Sequence, residues 1–212
     1  MPDGTVTLER LVAWLARYTE LVDENRTYLT ELDSAIGDAD HGSNMARGMT
    51  AVMAAIAESA PTAVDGLFKQ VGMTLVSSVG GASGPLYGTF FLRFGTTAGA
   101  VTELDGAALA AALRAGVGGV VARGKAELRD KTMFDSMSPA VDALDAELAS
   151  GADVSAAVAG AFAAALMGRD ATKPLVARKG RASYLGERSA GHLDPGATST
   201  ALLFQALAES LA

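Results

Sequence analysis

Three aspartates in the first quarter of the chain are the clearest candidates for binding a metal ion. Asp33, Asp38 and Asp40 lie within eight positions of one another, with Gly37 and Gly42 beside them. Carboxylates this close repel each other unless a cation lies among them, and oxygen ligands suit Mg²⁺ or Ca²⁺. The spacing is not that of an EF-hand loop. The segment therefore indicates a Mg²⁺ site, although a solvated turn rich in capping residues would have the same composition.

A helix is predicted to begin directly after these aspartates, at His41-Gly42-Ser43-Asn44. Free N–H groups at a helix N-terminus bind anions such as phosphate. Mg²⁺ in proteins is usually bound by a few carboxylates together with substrate phosphates. Aspartates beside a helix start therefore predict a combined metal and phosphate site.

Two further segments interrupt the helical pattern. Residues 80–85, Gly-Gly-Ala-Ser-Gly-Pro, allow close approach of the backbone to a ligand or to a neighbouring helix, but they lack the Gly-Lys-Ser/Thr of a P-loop. The second, about 170–193, is called the lid segment below. Residues 171–193 carry five basic side chains and one acidic one, on a chain whose net charge is −7. Such a segment could close over an anionic ligand, or could be a solvated loop.

The elements that must position these segments are predicted to be α-helices almost throughout. Apolar residues recur at spacings of three and four over 7–24, and Asp194 and Pro195 mark the start of the last helix. Further Ala-rich helices are predicted at 45–59, 63–79, 106–123, 138–149 and 153–167. We expect one all-α domain over 1–212 with about eight helices. Periodicity alone does not determine whether these helices close into a bundle or a barrel.

Composition excludes several classes of protein. The acidic balance argues against a nucleic-acid partner. The absence of cysteine excludes disulfides and Cys-ligated metal centres. The longest uncharged stretch, Gln70 to Leu92, contains several glycines and serines, so we expect two buried helices with a break rather than a membrane span. No export signal is visible in the sequence, which predicts a cytoplasmic protein.

Five motifs, taken together, resemble the DhaL-type nucleotide-binding L subunits of dihydroxyacetone kinases. They are LDSAIGDADHGSNM at 32–45, GGASGPLYG at 80–88, KTMFD at 131–135, RASYLG at 181–186 and DPGA at 194–197. They occur in the family's order, so the resemblance covers most of the chain. It implies an eight-helix antiparallel barrel with the nucleotide at one end.

The resemblance also implies a site. Asp33, Asp38 and Asp40 match the positions that hold two Mg²⁺ ions, and Arg181 matches a basic residue of the lid that stabilises charge. No protein nucleophile is implied, because the bound nucleotide itself accepts and returns the phosphoryl group. The residues that match nucleotide-contacting positions are His41, Gly42, Ser43, Asn44, Ala82, Ser83, Gly124, Met133, Arg181, Asp194, Pro195 and Gly196.

Two branches of the family remain open. In one, ADP stays bound to a free subunit, a phosphohistidine M subunit of the phosphotransferase system rephosphorylates it, and dihydroxyacetone on a K subunit receives the phosphoryl group. We expect this branch, since no K domain is recognised in the 212 residues. In the other, the subunit serves a kinase that uses ATP directly. A Mg²⁺-dependent phosphatase and a non-catalytic partner of a transcription regulator are alternatives of other classes. We expect a homodimer.

Overall fold

The structure is a computed structural model that describes residues 4–212. Within that range the chain forms nine α-helices, one 3₁₀ helix and a two-stranded ladder. The α-helices are α1 (Leu8–Glu24), α2 (Arg26–Ile36), α3 (His41–Glu58), α4 (Val64–Ser78), α5 (Ser83–Ala98), α6 (Gly106–Gly124), α7 (Phe134–Ala149), α8 (Val154–Ala171) and α9 (Pro195–Leu211). The strands β1 (Val6–Thr7) and β2 (Glu103–Leu104) pair antiparallel, and the 3₁₀ helix Arg181–Ser189 lies inside the lid segment.

Eight of the helices close into a ring. Each of α3 to α8 packs against the next helix in the chain, and α9 packs back against α1, which in turn contacts α3. Trp14 on α1 helps to close this ring, because its indole Nε1 donates a hydrogen bond to the carbonyl of Leu203 on α9 at 2.9 Å. The expected eight-helix barrel is therefore confirmed. The additional helix, α2, packs on α3 and α9.

The short helix α2 is an element that sequence reasoning missed. Its buried residues are Leu29, Asp33 and Ile36, at helical spacing. Because the central position of this face is an aspartate, the apolar pattern is too weak to indicate a helix. The pairing of β1 with β2 was missed as well, since strands of two residues carry almost no periodic signal.

The uncharged stretch from Gln70 to Leu92 is divided between α4 and α5, as expected. The two helices approach closely at Gly72 and Gly88. A Cβ atom on Gly72 would lie 2.7 Å from the carbonyl oxygen of Gly88, so this contact requires glycine. Two other helices, α6 and α8, are long and apolar enough to cross a membrane by length and composition alone, and both pack in the ring.

The ring explains how distant motifs meet. Consecutive helices joined by short loops run antiparallel, so every second connection lies at the same end of the ring. The connections α2–α3, α4–α5, α6–α7 and α8–α9 share one end, and these are the connections that carry the sequence motifs. The β1–β2 ladder lies at the other end, because β2 belongs to the α5–α6 connection.

Candidate functional site

A cavity of about 610 Å³ lies among the four connections that share one end of the ring. This volume is in the usual range for small-molecule sites. The residues singled out from the sequence that line it are Asp33, Asp38, Asp40, His41, Asn44, Ala82, Ser83, Gly124, Met133, Arg181, Asp194, Pro195 and Gly196. The fold thus brings together residues that are up to 163 positions apart.

Gly42 and Ser43 do not line the cavity. Gly42 is buried against α2, where a Cβ atom would lie 2.1 Å from the carbonyl oxygen of Arg26. Ser43 is exposed. Gly42 therefore allows α2 to pack against the start of α3, which is a structural reason for a glycine in the aspartate motif.

The three aspartates form a compact cluster in which one carboxylate oxygen of each lies within 4.8 Å of the others. Asp33 is buried on the last turn of α2, and its Oδ2 accepts hydrogen bonds from the backbone N–H groups of Asp40 at 2.9 Å and His41 at 3.2 Å. Asp38 is exposed. Three carboxylates at this spacing are a hard oxygen donor set, which suits Mg²⁺.

An ion pair connects the lid segment to this cluster. Arg181 Nη2 lies 3.1 Å from Asp38 Oδ2, and both side chains contact solvent. A solvent-exposed pair of this kind contributes little to the free energy of unfolding. Its significance is geometric, because it places a guanidinium beside the predicted metal ligands.

His41 lies at the start of α3, with its ring buried between two hydroxyl groups. Its Nδ1 is 3.2 Å from Ser83 Oγ, and its Nε2 is 2.9 Å from Ser199 Oγ. Burial lowers the pKa of His41, although Asp33 and Asp40 act in the opposite direction. A neutral imidazole has one donor and one acceptor, so it donates to one hydroxyl and accepts from the other.

The hydrogen bonds of His41 continue into the core through residues that sequence reasoning did not identify. Ser199 Oγ lies 2.8 Å from the hydroxyl of Tyr87, which lies 3.1 Å from Thr200 Oγ1. Burial raises the pKa of Tyr87, so this hydroxyl stays protonated. The cavity residue Ser83 is thereby held in place through His41 by a buried network that joins α3, α5 and α9.

Replacement of Ser199 by alanine is expected to lower the free energy of unfolding by about 1–3 kcal/mol, because it leaves His41 Nε2 buried without its partner and removes one of the two hydroxyl partners of Tyr87. Urea denaturation measures this value. Ser77→Ala is the matched control, since the Ser77 hydroxyl is exposed and bonds only to its own helix. Equal stability of the two variants would contradict the role given to the network.

Asp194 begins α9 and closes the other side of the cavity. Its Oδ2 accepts a hydrogen bond from the backbone N–H of Ala197 at 2.6 Å, the N-cap interaction expected from the sequence. Burial raises the pKa of Asp194 to about 7, and the nearby charges of Asp135 and Asp33 add to this effect, whereas Lys131 opposes it. The carboxyl therefore titrates near neutral pH and not in the acidic range.

The lining has two chemical characters. One group of side chains is charged, and includes Arg123 and Lys179 in addition to the aspartates and Arg181. Another is apolar, and includes Leu86, Val120 and Met133. A ligand with a planar apolar part and a phosphate part, such as a nucleotide, would satisfy both groups.

Comparisons with known proteins agree with this geometry. The family model described as the DAK2 domain matches residues 35–209. The chain is 47% identical over 197 residues to a protein of Listeria innocua named PEP-dependent dihydroxyacetone kinase 1, ADP-binding subunit DhaL, an alignment that covers 93% of each chain. It is 44% identical over 207 residues to the PTS-dependent dihydroxyacetone kinase, ADP-binding subunit DhaL, of Lactococcus lactis, covering 98% of this chain and 100% of that protein.

A solved structure is similar over nearly the whole chain. The crystal structure of the dihydroxyacetone kinase from C. freundii in complex with AMP-PNP and Mg²⁺ aligns with 94% of this chain at a TM-score of 0.71 and 29% identity. The chain spans 34% of the length of that kinase. A protein with this fold has therefore been crystallised with a nucleotide analogue and Mg²⁺.

Proposed function

Because this chain belongs to the DAK2 domain family, we propose that it is the ADP-binding L subunit of a dihydroxyacetone kinase that depends on the phosphotransferase system. The observation that carries this proposal is the aspartate cluster on the wall of a cavity that also has an apolar part and a basic lid segment. The relatives that align over nearly their full length have names that give the same role.

The metal ligands are Asp33, Asp38 and Asp40, which we propose to hold two Mg²⁺ ions. Bound Mg²⁺ supplies positive charge against the phosphate oxygens, and bound ADP supplies the phosphate that accepts and returns the phosphoryl group. The carboxylate of Asp33 is positioned for this, because it accepts hydrogen bonds from the backbone N–H groups of Asp40 and His41.

The remaining groups bind and orient the nucleotide and shield it from water. Ser83, oriented by His41, presents a hydroxyl at the start of α5, and Asn44 lies on the first turn of α3. Arg181 neutralises charge that develops during transfer. Closure of the lid segment over the cavity excludes water and so suppresses hydrolysis.

The nucleotide-contacting set is completed by residues that surround the apolar part of the cavity and the start of α9. We propose Gly124, Met133 and Ala82 for the nucleoside side, and Asp194, Pro195 and Gly196 for the loop that closes the site. Gly42 and Ser43 stay in the set only through their backbone N–H groups, since neither residue lines the cavity.

The partners follow from the proposed reaction. A K subunit would carry dihydroxyacetone, and a phosphohistidine M subunit would supply the phosphoryl group. We also propose that residues 1–212 act as one domain with its lid segment, that the protein is a cytoplasmic homodimer, and that a transcription regulator is a further candidate partner. The alternative branch, a subunit that exchanges ATP, differs in how long the nucleotide stays bound.

Mass spectrometry of the gently denatured protein tests the proposal. We expect about one ADP per chain after purification, and transfer of phosphate to dihydroxyacetone only when a K subunit and a phosphorylated M subunit are both added. Rapid exchange of bound ADP for ATP, with turnover in the absence of the M subunit, would place the protein in the ATP-dependent branch. Release of free phosphate from ATP by the chain alone would indicate a phosphatase.

A further inference from the structure

A buried lysine lies in the wall of the cavity, in the connection between α6 and α7. Lys131 has 1% of its surface exposed, which is rare for lysine unless its charge is satisfied. The ammonium group is surrounded by backbone carbonyls. Its Nζ donates to the carbonyl oxygens of Thr172 at 2.9 Å, Leu175 at 3.1 Å and His192 at 2.5 Å. An ammonium has three N–H donors, so these three carbonyls satisfy it fully.

The three acceptors belong to opposite ends of the lid segment. Thr172 and Leu175 lie where it leaves α8, and His192 lies just before it enters α9. The two ends also meet directly, because the backbone N–H of Gly191 donates to the carbonyl of Lys173 at 2.8 Å. Lys131 therefore binds the base of the lid segment as one closed loop.

The connection that carries Lys131 is itself held in place. Lys131 has a φ of 64°, a left-handed conformation that is unfavourable for a side chain of this type. The following turn is fixed by Asp135, whose carboxylate accepts the backbone N–H of Thr132 at 2.8 Å. A second contact to the lid segment comes from the neighbouring residue, since the carbonyl of Asp130 accepts the backbone N–H of Arg178 at 3.0 Å.

We propose that Lys131 is a positioning residue that fixes the base of the lid segment and so holds Arg181 beside the aspartate cluster. Arg181 lies between the two fixed ends, 3.1 Å from Asp38. Without the ammonium, the carbonyls of Leu175 and His192 lose their donor, whereas that of Thr172 keeps the backbone N–H of Leu175. The ends of a loop of about 20 residues are then held together by fewer contacts. The segment would then sample open conformations more often. The consequence for nucleotide retention rests on the proposed function, but the effect on the lid segment does not.

Limited trypsin digestion without nucleotide tests the effect on the lid segment. Trypsin can cut this segment after Arg178, Lys179, Arg181 and Arg188, and mass spectrometry separates these cuts from those in the helices. In Lys131→Met, which keeps an unbranched apolar stem but has no donor, we expect cuts in the lid segment to be at least tenfold faster than in wild type. Cuts in the helices should change by less than twofold. The matched control is Lys69→Met, at an exposed lysine on α4. It removes its own cleavage site but should leave the rates of cutting in the lid segment and at the remaining helix sites unchanged.

The same variant also tests whether the contacts of Lys131 with the lid segment affect nucleotide retention. We expect ADP to dissociate from Lys131→Met at least tenfold faster than from wild type. Faster cutting in the lid segment and the helices alike would show a general loss of stability and overturn the proposal, as would unchanged cutting. If the wild type bound no ADP, the proposed function would fail while the digestion result would stand.

A measurement on the wild type covers the case in which Lys131→Met does not fold. Hydrogen exchange should then show the backbone N–H of Gly191 exchanging at least tenfold more slowly than that of exposed residues between 181 and 188. Equal rates would mean that the base of the lid segment opens as readily as its tip, which would overturn the proposal.

Discussion

Replacement of Asp38 by asparagine is expected to abolish Mg²⁺-dependent ADP binding without unfolding the protein. Asp38 is exposed, and within residues 4–212 its carboxylate forms an ion pair with Arg181 alone, so the change removes a carboxylate while leaving the fold intact. Because the amide is a weaker, uncharged ligand, affinity for ADP in the presence of Mg²⁺ should fall on the order of 100-fold or more, about 2.7 kcal/mol.

Isothermal titration calorimetry with Mg²⁺ and with a chelator makes this test specific. The affinity of Asp38→Asn in Mg²⁺ should match that of the wild type in chelator. Asp23→Asn is the control, since Asp23 is an exposed aspartate that pairs with an arginine, Arg26, at 3.9 Å and lies outside the cavity. Unchanged ADP affinity in the Asp38 variant would remove the cluster as the metal site. Asp33 is less suitable for this test, because it also accepts two backbone N–H groups.

Replacement of Arg181 by alanine should speed the dissociation of ADP by roughly 10- to 100-fold, the range for one charge-assisted hydrogen bond. The guanidinium lies beside the aspartate cluster and lines the cavity, so its loss removes positive charge from the side of the cavity proposed to hold the phosphates. The melting temperature of the protein without nucleotide should change by less than about 4 °C, because an exposed ion pair contributes under about 1 kcal/mol.

Stopped-flow displacement of a fluorescent ADP analogue measures this rate. Arg188→Ala serves as the control, because Arg188 belongs to the same 3₁₀ helix but does not line the cavity. Equal acceleration in both variants would attribute the effect to the net charge of the lid segment. A large fall in melting temperature for Arg181→Ala would instead make the residue structural.

The helical ring follows from local patterns to a large extent. Amphipathic spacing and Ala-rich runs predict most of the helices, and the N-cap of the last helix was confirmed at Asp194. What local patterns cannot give is the ring closure. That depends on contacts such as Trp14 with Leu203, which are 189 positions apart.

The candidate site likewise contains some residues that the sequence predicts and others that it does not. The aspartate cluster is recognisable because its three carboxylates lie within eight positions of the sequence and are of one chemical type. The roles of three other residues, Ser199, Tyr87 and Lys131, cannot be recognised in this way. A serine or tyrosine in an apolar helix, or a single lysine in a loop, has no spacing that predicts its partner. Their roles arise from burial and from polar atoms contributed by other elements, which only the folded chain brings together.

The ring also decides where additional sequence could be joined to this fold. Helix α9 begins at the cavity and runs 17 residues to Leu211, so that end lies roughly 25 Å from the cavity. Val6 lies at that end of the ring as well, because it pairs with Leu104 in the connection between α5 and α6. An affinity tag or a second domain attached at either end would therefore leave the mouth of the cavity accessible. The same fold is therefore compatible with both fused and separate architectures, with no change to the loops around the cavity.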